Sequence, residues 1–555
     1  MKSTRSLLIG SLSVLLPLAA AWLSGTAAVY QTPTDIEAEI HLAPGGADTP
    51  GEPVTADPKK SGKLKLTVFD AETGQPAFCR VNVVGSDGNY YEPTDNSLSE
   101  WSLHRLGNRK GKGPVRYYGW FFYSDGQCEI AIPPGTARIE VWKGFEYKSV
   151  TVQAEIVLGK TTAKRVKLNR TADMAARGWF SGDTHIHLNR RNKPDDERAL
   201  DLAAVEDIRF AHILCTNDTR FYKPTMDQQI WFQNSGLGKK SERSRGIYNI
   251  SSGQEYRCGT FGHICLVGGS RLVDADGLQT NPNNWPVFGM VGDETRSIGG
   301  YSFHAHGGYE REIYADFVQQ ATDGVELLQF AVYRGIALEG WYHILNAGFR
   351  FPAVGASDYP YCRALGDCRT YVYLGAKQPS FDNWNKAAAE GHSFFTTGPL
   401  LEVSVNGKRP GETVELNKQK QSLSVTIQLT SPVAAVDEIH LIEAGQIKAK
   451  KKLKGNQRTE PLTWNIELLI SESTWVAVRA FSKSQSNREN VEAHTNPVYV
   501  SLNGGKPFHR DSVMWLIKKL DERIAFHSGR NFKEKQKVLA YFNKSRKILL
   551  ESCVN

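Results

Sequence analysis

From Lys63 onward, apolar and polar residues alternate in short runs. "KLKLTVFD" alternates, "AETGQPA" turns, and "CRVNVVG" alternates again. "CEIAIPPGTARIEVWKGFEYKSVTVQAEI" continues the pattern, broken at Pro-Pro-Gly and Lys-Gly. Alternation with a turn about every eight to twelve residues predicts a small β-sandwich, here over residues 61–170. The rhythm changes over residues 173–398. "DERALDLAAVEDI", "YADFVQQA" and "LEGWYHILNAG" carry helical spacing, and between them stand the strand-like "FAHILC", "GVELLQF" and "FPAVGAS". That order predicts a β/α sheet or barrel. The polar, irregular stretch 219–250 inside it reads as a lid or active-site loop. Alternation returns over 399–505 in "LLEVSVNG", "SLSVTIQLT", "EIHLIEAG", "TWVAVRAF" and "PVYVSLNG", which predicts a second β-sandwich. The tail, 506–555, is helical. Val513, Leu516, Ile517, Leu520 and Ile524 form one apolar stripe, and Val538, Tyr541, Phe542, Ser545 and Leu549 form another beyond Ser528-Gly529. Two such stripes predict a helical hairpin packed on the body.

The first residues change the picture of where the chain works. Lys2 and Arg5 precede an apolar stretch, Leu7 to Leu23, interrupted by Pro17 and followed by Thr26-Ala27-Ala28. This is the layout of a secretory signal peptide over 1–28. A linker rich in Pro, Gly, Thr and acidic groups follows over 29–60. The expectation is export to a periplasmic or extracellular space, with no transmembrane segment left in the mature chain. Charge adds little. A net +8 over 555 residues is a mild bias, and nucleic-acid binders concentrate theirs in a stripe. The run Lys448, Lys450, Lys451, Lys452 and Lys454 reads as a solvated face. A small-molecule or polymer-derived substrate is expected, and nucleic acid is not. The eight cysteines contain no C-x-x-C, so a zinc ribbon or a thioredoxin motif is excluded.

Candidate chemistry begins at "GDTHIH". Side chains two apart on a strand point the same way, so Asp183, His185 and His187 share a face. Two imidazoles on one face at a strand end can chelate a divalent cation. A second H-x-H stands at His304 and His306. Fourteen histidines in 555 residues give roughly 0.35 such pairs by chance, so two pairs in one β/α segment carry weight. Glu255 lies in "SGQEYRCGTFGH", eight residues before His263, and Asp358 ends "VGASD" after an apolar strand. Histidine and carboxylate at successive strand ends make the ligand set of Zn²⁺, Mn²⁺ or Fe. A carboxylate such as Glu255 can bridge two ions.

The segment 173–400 resembles the PHP superfamily of metal-dependent hydrolases, and more closely its CehA/McbA-like branch. The residues that carry the resemblance are "GDTHIH" (182–187), "SGQEYRCGTFGH" (252–263), "HAHGG" (304–308), "LNAGFRFPAVGASDYP" (345–360), "CRTYVYL" (368–374) and "GHSFFTTGPLLEVSVNG" (391–407). The resemblance implies a multidomain α/β plus β chain: a distorted β/α barrel between two β-sandwiches, with one or two divalent metal ions. It implies His185, His187, Glu255 and Asp358 at a first site. Glu255, His263 and one of His304 or His306, with His306 favoured, would complete a second. Two departures remove ligands of a third ion: "CTNDTR" has Asp218 without a histidine, and Asp358 is followed by Tyr359-Pro360.

Arg257 and Arg369 are candidates to hold an anionic substrate or transition-state charge. His343 is a further catalytic candidate, while His212 and His392 read as structural. Trp341, Tyr342 and Tyr359 are candidates to shape a pocket. The expected activity is hydrolysis of an ester, carbamate or amide by metal-activated water. Phosphoester hydrolysis at the same site, or a degenerate barrel that only binds, are the alternatives.

Overall fold

The structure, a computed structural model, describes residues 54–98, 121–218, 237–273, 284–329, 332–360, 364–483 and 489–553. The signal peptide, most of the expected linker, the start of the expected lid loop and the Asp218 side chain lie outside the described residues.

Two sheets form the N-terminal part. Gly62–Asp70 pairs antiparallel with Gln127–Ile132 and parallel with Thr161–Leu168. Facing them, Cys79–Val84 pairs with Phe122–Ser124 and with Gly135–Trp142, which pairs in turn with Val150–Ile156. The alternation seen in the sequence explains the layering. Leu64, Leu66 and Val68 point inward while Lys63 and Lys65 point out, and Val81, Val83, Ile139 and Val141 close the same core from the other sheet.

The central part is a mixed sheet. Trp179–Ile186, Phe210–Asp218 and Tyr248–Cys258 run parallel in that order. Gly262–Val267 and Tyr301–His304 then continue antiparallel. Gly324–Gln329 and Ala353–Ala356 are parallel again. Arg369–Tyr373 pairs antiparallel with Trp179–Ile186 and returns the sheet toward its start. Between Ala353–Ala356 and Arg369–Tyr373 the link runs through a side chain: Thr370 Oγ1 accepts from Gly355 N and donates to Gly355 O. The sheet therefore curls, but the ladders do not show the closed β/α barrel expected from the sequence. The expected helix at "YADFVQQA" is one turn, Ile313–Asp316, and the helices that do cover the sheet include Lys193–Glu206, Phe288–Ser297, Ala337–Asn346 and Phe381–Ala389.

The next strands are joined to this sheet. Ser393–Thr396 pairs with Glu489–Thr495, so the sheet runs on into Thr474–Lys483, Val498–Leu502 and Glu438–Glu443. A three-stranded sheet, Leu400–Val405, Gln421–Thr430 and Leu462–Ile470, packs on it across a second core. The chain is thus mixed α/β with additional β layers. Helices Arg510–Ser528 and Lys535–Ser552 form a hairpin whose buried stripe (Val513, Leu516, Ile517, Leu520, Val538, Phe542, Leu549) joins the central core. Among the described residues no helix is long and apolar enough to cross a membrane.

Candidate metal centre

Strand register decides which side chains meet. Glu255 lies opposite Cys265, and Arg257 opposite His263. Cross-strand partners share a face, and so do residues two apart. Glu255, Arg257, His263 and Cys265 therefore all point to one side of the sheet. His304 lies opposite Ile264, in the alternate set, so it points to the other side. There its Nε2 stands 3.0 Å from Asp316 Oδ2.

The strand Trp179–Ile186 delivers His185 at its end, with His187 just beyond. His187 N donates to Tyr359 O at 2.7 Å, which ties this end to the loop carrying Asp358. Asp183 does not reach the cluster. Its buried carboxylate accepts from His185 N (3.1 Å), Ser357 N (3.1 Å), Ser357 Oγ (2.5 Å) and Gly366 N (3.0 Å), clamping the two ligand-bearing segments together. Burial pushes its pKa up to about 6 against the pull of those hydrogen bonds. His306 follows the strand that ends at His304, in a turn with left-handed backbone. Gly307 is obligatory in that turn, because a Cβ would lie 1.9 Å from Arg334 O. His306 and Asp358 both hold positive φ, +54° and +52°, at a cost of about 1–2 kcal/mol each.

Six side chains converge. His185 Nε2 lies 3.1 Å from His187 Nε2, 3.5 Å from Glu255 Oε1 and 3.3 Å from Asp358 Oδ1. His187 Nε2 is 3.2 Å from Glu255 Oε2 and 3.4 Å from Asp358 Oδ1. Ligands about 2.0–2.1 Å from a tetrahedral ion stand about 3.3–3.4 Å from one another, so the trio His185, His187 and Glu255 is spaced for one divalent cation, with Asp358 within the same reach of both imidazoles. Glu255 Oε1 and Asp358 Oδ1 are buried and face the ring nitrogens of this cluster, as oxygens placed to share a cation with those nitrogens would. A second group shares Glu255. Its Oε1 is 2.8 Å from His263 Nδ1 and 3.8 Å from His306 Nε2, and His306 Nε2 is 3.9 Å from Asp358 Oδ2. Glu255 is the natural bridge if both groups fill.

The shell behind the cluster fixes the imidazoles. His185 Nδ1 meets Glu326 Oε2 at 2.8 Å, His187 Nδ1 meets Leu214 O at 3.2 Å and His306 Nδ1 meets Gln329 Oε1 at 2.5 Å. An oxygen at Nδ1 sets the proton there and leaves the Nε2 lone pair for a metal. Cys265 Sγ also stands behind His185, 3.3 Å from its Nδ1. Electrostatics agree with a demand for positive charge. Burial would depress His185, but Cys265, Glu326, Asp358 and Glu255 reverse the sign and hold it well above the usual imidazole range. Burial likewise opposes ionisation of Asp358, yet the surrounding histidines, His185 foremost, bring it down to about 2. His263 goes the other way, down to about 4, chiefly by burial.

Of the residues singled out in the sequence, His185, His187, Glu255, His263, His306 and Asp358 meet, with Arg257 at the edge. Its Nε donates to Glu255 Oε2 at 2.7 Å. His304 is turned away by register. Arg369 is fully buried elsewhere, Nε donating to Gly366 O at 2.6 Å and the guanidinium 3.9 Å from the Phe145 ring centroid. It braces the loop that holds Asp183. His343 stacks on Trp515 at 4.4 Å and bonds Ser512 Oγ, which makes it a hairpin contact. His212 is buried between Asp183 O and Asn385, and His392 meets Pro410 O. Trp341 and Tyr342 are engaged with Phe351 O and His494, away from the cluster, while Tyr359 is buried in the core beside the loop of Asp358. Sequence reasoning missed Glu326, Gln329 and Cys265. A carboxylate within the fully buried strand Gly324–Gln329 was the available signal, because charge in such a strand needs a partner.

No family model matches the chain, and no curated protein matches it. A solved structure, the crystal structure of PsfC from Pseudomonas syringae PB-5123, is 17% identical over 39% of this chain and 90% of that one, with a TM-score of 0.27.

Proposed function

We propose that the chain is an exported metal-dependent hydrolase of the PHP superfamily, CehA/McbA-like branch, whose curled central sheet is that family's distorted barrel. The observation that carries the reading is the spacing of the His185 and His187 ring nitrogens and the buried Glu255 and Asp358 oxygens, 3.1–3.5 Å apart. His185, His187, Glu255 and Asp358 would hold one cation, Zn²⁺, Mn²⁺ or Fe. Glu255, His263 and His306 would hold a second. A divalent cation there supplies Lewis acidity, acidifying water and polarising an acyl or phosphoryl oxygen. The chain's own residues do the rest. Glu326, Leu214 O and Gln329 hold the imidazoles in one tautomer. Asp183 keeps the His185 and Asp358 segments in register. His263 and His185, and after them Arg257, keep the Glu255 carboxylate charged, and the Arg257 hydrogen bond aims it.

The bond cleaved is an ester, carbamate or amide. Arg257 at the cluster edge also favours negative charge, which suits a phosphoester as the second reading. Turnover of aryl esters, aryl carbamates and aryl phosphates, before and after chelation and metal return, tests both. We expect metal-dependent turnover of an acyl substrate, abolished in His187→Ala. A folded, metal-loaded protein inert on all three classes contradicts the hydrolase reading, and activity on phosphates alone favours the second.

A further inference from the structure

The turn that delivers His306 is a run of left-handed residues: His306 at φ +54°, Gly307 +63°, Gly308 +66°, Tyr309 +53° and Glu310 +54°. Glycine adopts this backbone freely, while a bulky tyrosine does so under strain. Strain of this kind persists where the surroundings over-determine it, and it collects at functional sites. Here the surroundings are cut to fit the ring. A Cβ on Gly262 would stand 2.5 Å from Tyr309 Cδ2. The ring lies 5.4 Å from the His263 ring and 5.1 Å from the His306 ring, and its hydroxyl is 3.2 Å from His263 Nδ1.

Exposure shows which side of the cluster a substrate can reach. Glu255 and His185 are sealed at 0%. The cluster's most exposed members are His263, with 23% of its side chain exposed, and Arg257, with 18%, ahead of His187 and Asp358 at 9% each. Tyr309 is half-buried on the same side, with Arg311 over its ring at 5.0 Å. An approaching substrate therefore meets the phenol and Arg257.

We propose that Tyr309 is a catalytic residue of this site: its phenol donates a hydrogen bond to the substrate oxygen on which negative charge develops. The inference rests on the hydrolase reading above and deepens it. His263 Nδ1 already faces Glu255 Oε1 at 2.8 Å, and a cation held by the two would leave it no lone pair for the phenol, whose proton would then be available to an oxygen on the open side. The substrate class follows: an acyl or phosphoryl compound whose reacting oxygen takes a donor from Tyr309 while its anionic part faces Arg257.

The test compares Tyr309→Phe with the wild-type full chain. Three readouts are used: metal content, steady-state kinetics on the aryl panel, and calorimetric titration of inorganic phosphate into metal-loaded protein. Loss of one oriented donor predicts a kcat lower by about 100-fold with KM changed less than about threefold. Phosphate affinity should fall about tenfold. Metal content and the melting temperature of the metal-free protein should stay at wild-type values. Unchanged kcat and phosphate affinity overturn the assignment, and so does loss of metal, which would make Tyr309 a structural support. If the wild type binds phosphate but turns nothing over, the phosphate comparison still decides the role of Tyr309 while the hydrolase reading fails by itself. A wild type that binds no metal sinks both.

Discussion

Glu326 offers the sharpest handle on how the histidines are prepared. It is fully buried and accepts from His185 Nδ1 and Thr184 Oγ1, each at 2.8 Å, with Gln329 Nε2 at 3.4 Å. Its carboxylate fixes the His185 proton on Nδ1 and makes Nε2 a better donor to a cation. Glu326→Gln keeps the shape and one acceptor oxygen but loses the charge. Glu326→Leu removes both acceptors. Loss of such an outer partner costs 10–100-fold in metal affinity. The amide should therefore cost about tenfold, or about 1.4 kcal/mol, and the leucine about 100-fold, or about 2.8 kcal/mol. The leucine also strands the Thr184 hydroxyl and the His185 N–H in a dry interior, at about 1–3 kcal/mol of stability for each. Zn²⁺ affinity can be read by competition with a chromophoric chelator, and metal-free stability by urea unfolding. If both variants bind Zn²⁺ within about twofold of wild type, Glu326 does not set the ligand tautomer and the reasoning fails.

Three further predictions follow from the same geometry. His306→Ala should cost the protein its second equivalent of metal, whereas His304→Asn, on the far side of the strand, should keep wild-type metal content; elemental analysis of both variants checks this. Arg80 joins the N-terminal layers to the central sheet through Glu206 and Asp367, both at 2.7 Å and all buried, so Arg80→Met should lower urea stability by about 3–5 kcal/mol by stranding two buried carboxylates. Burial brings His212 down to about 4, so the folded state holds it neutral while the unfolded chain protonates it near 6.5. Its contribution is complete above pH 6.5 and is lost as pH falls toward 4, about 3 kcal/mol in all; His212→Gln should flatten that limb of the urea-stability profile.

Much of the site was legible because its spacing is that of strands. Two-residue periodicity places His185 near His187, Asp358 stands out as the end of an apolar run, and Glu255 and His263 stand out through the motif they share and the family it resembles. The same rule failed at His304 and His306. The strand ends at His304, and the left-handed turn through Gly307 and Gly308 swings His306 back to the face that His304 leaves. Only the partner register, His304 opposite Ile264, separates the two, and register across strands cannot be read from one chain. Asp183 shares the predicted face but is consumed by backbone donors from Ser357 and Gly366, residues distant in sequence. Arg369 and His343 are single polar residues in largely apolar stretches, and their partners, Phe145 and Trp515, come from the N-terminal layers and the C-terminal hairpin. The β/α rhythm gave the strands of the central part their order. It could not foresee the antiparallel pairs at Gly262–Val267 and Tyr301–His304, the first reached by a short turn after Cys258 and the second after a connection that carries the helix Phe288–Ser297.

The central claim is that His185, His187, Glu255 and Asp358 hold a divalent cation. Its most direct test is elemental analysis of the purified full chain after exposure to Zn²⁺, Mn²⁺ or Fe²⁺ and removal of excess metal. The account predicts about one to two equivalents of one of these ions, and near-complete loss in a folded His185→Ala/His187→Ala double variant. A folded wild-type protein that retains none of the three, or a double variant that retains them all, would contradict it.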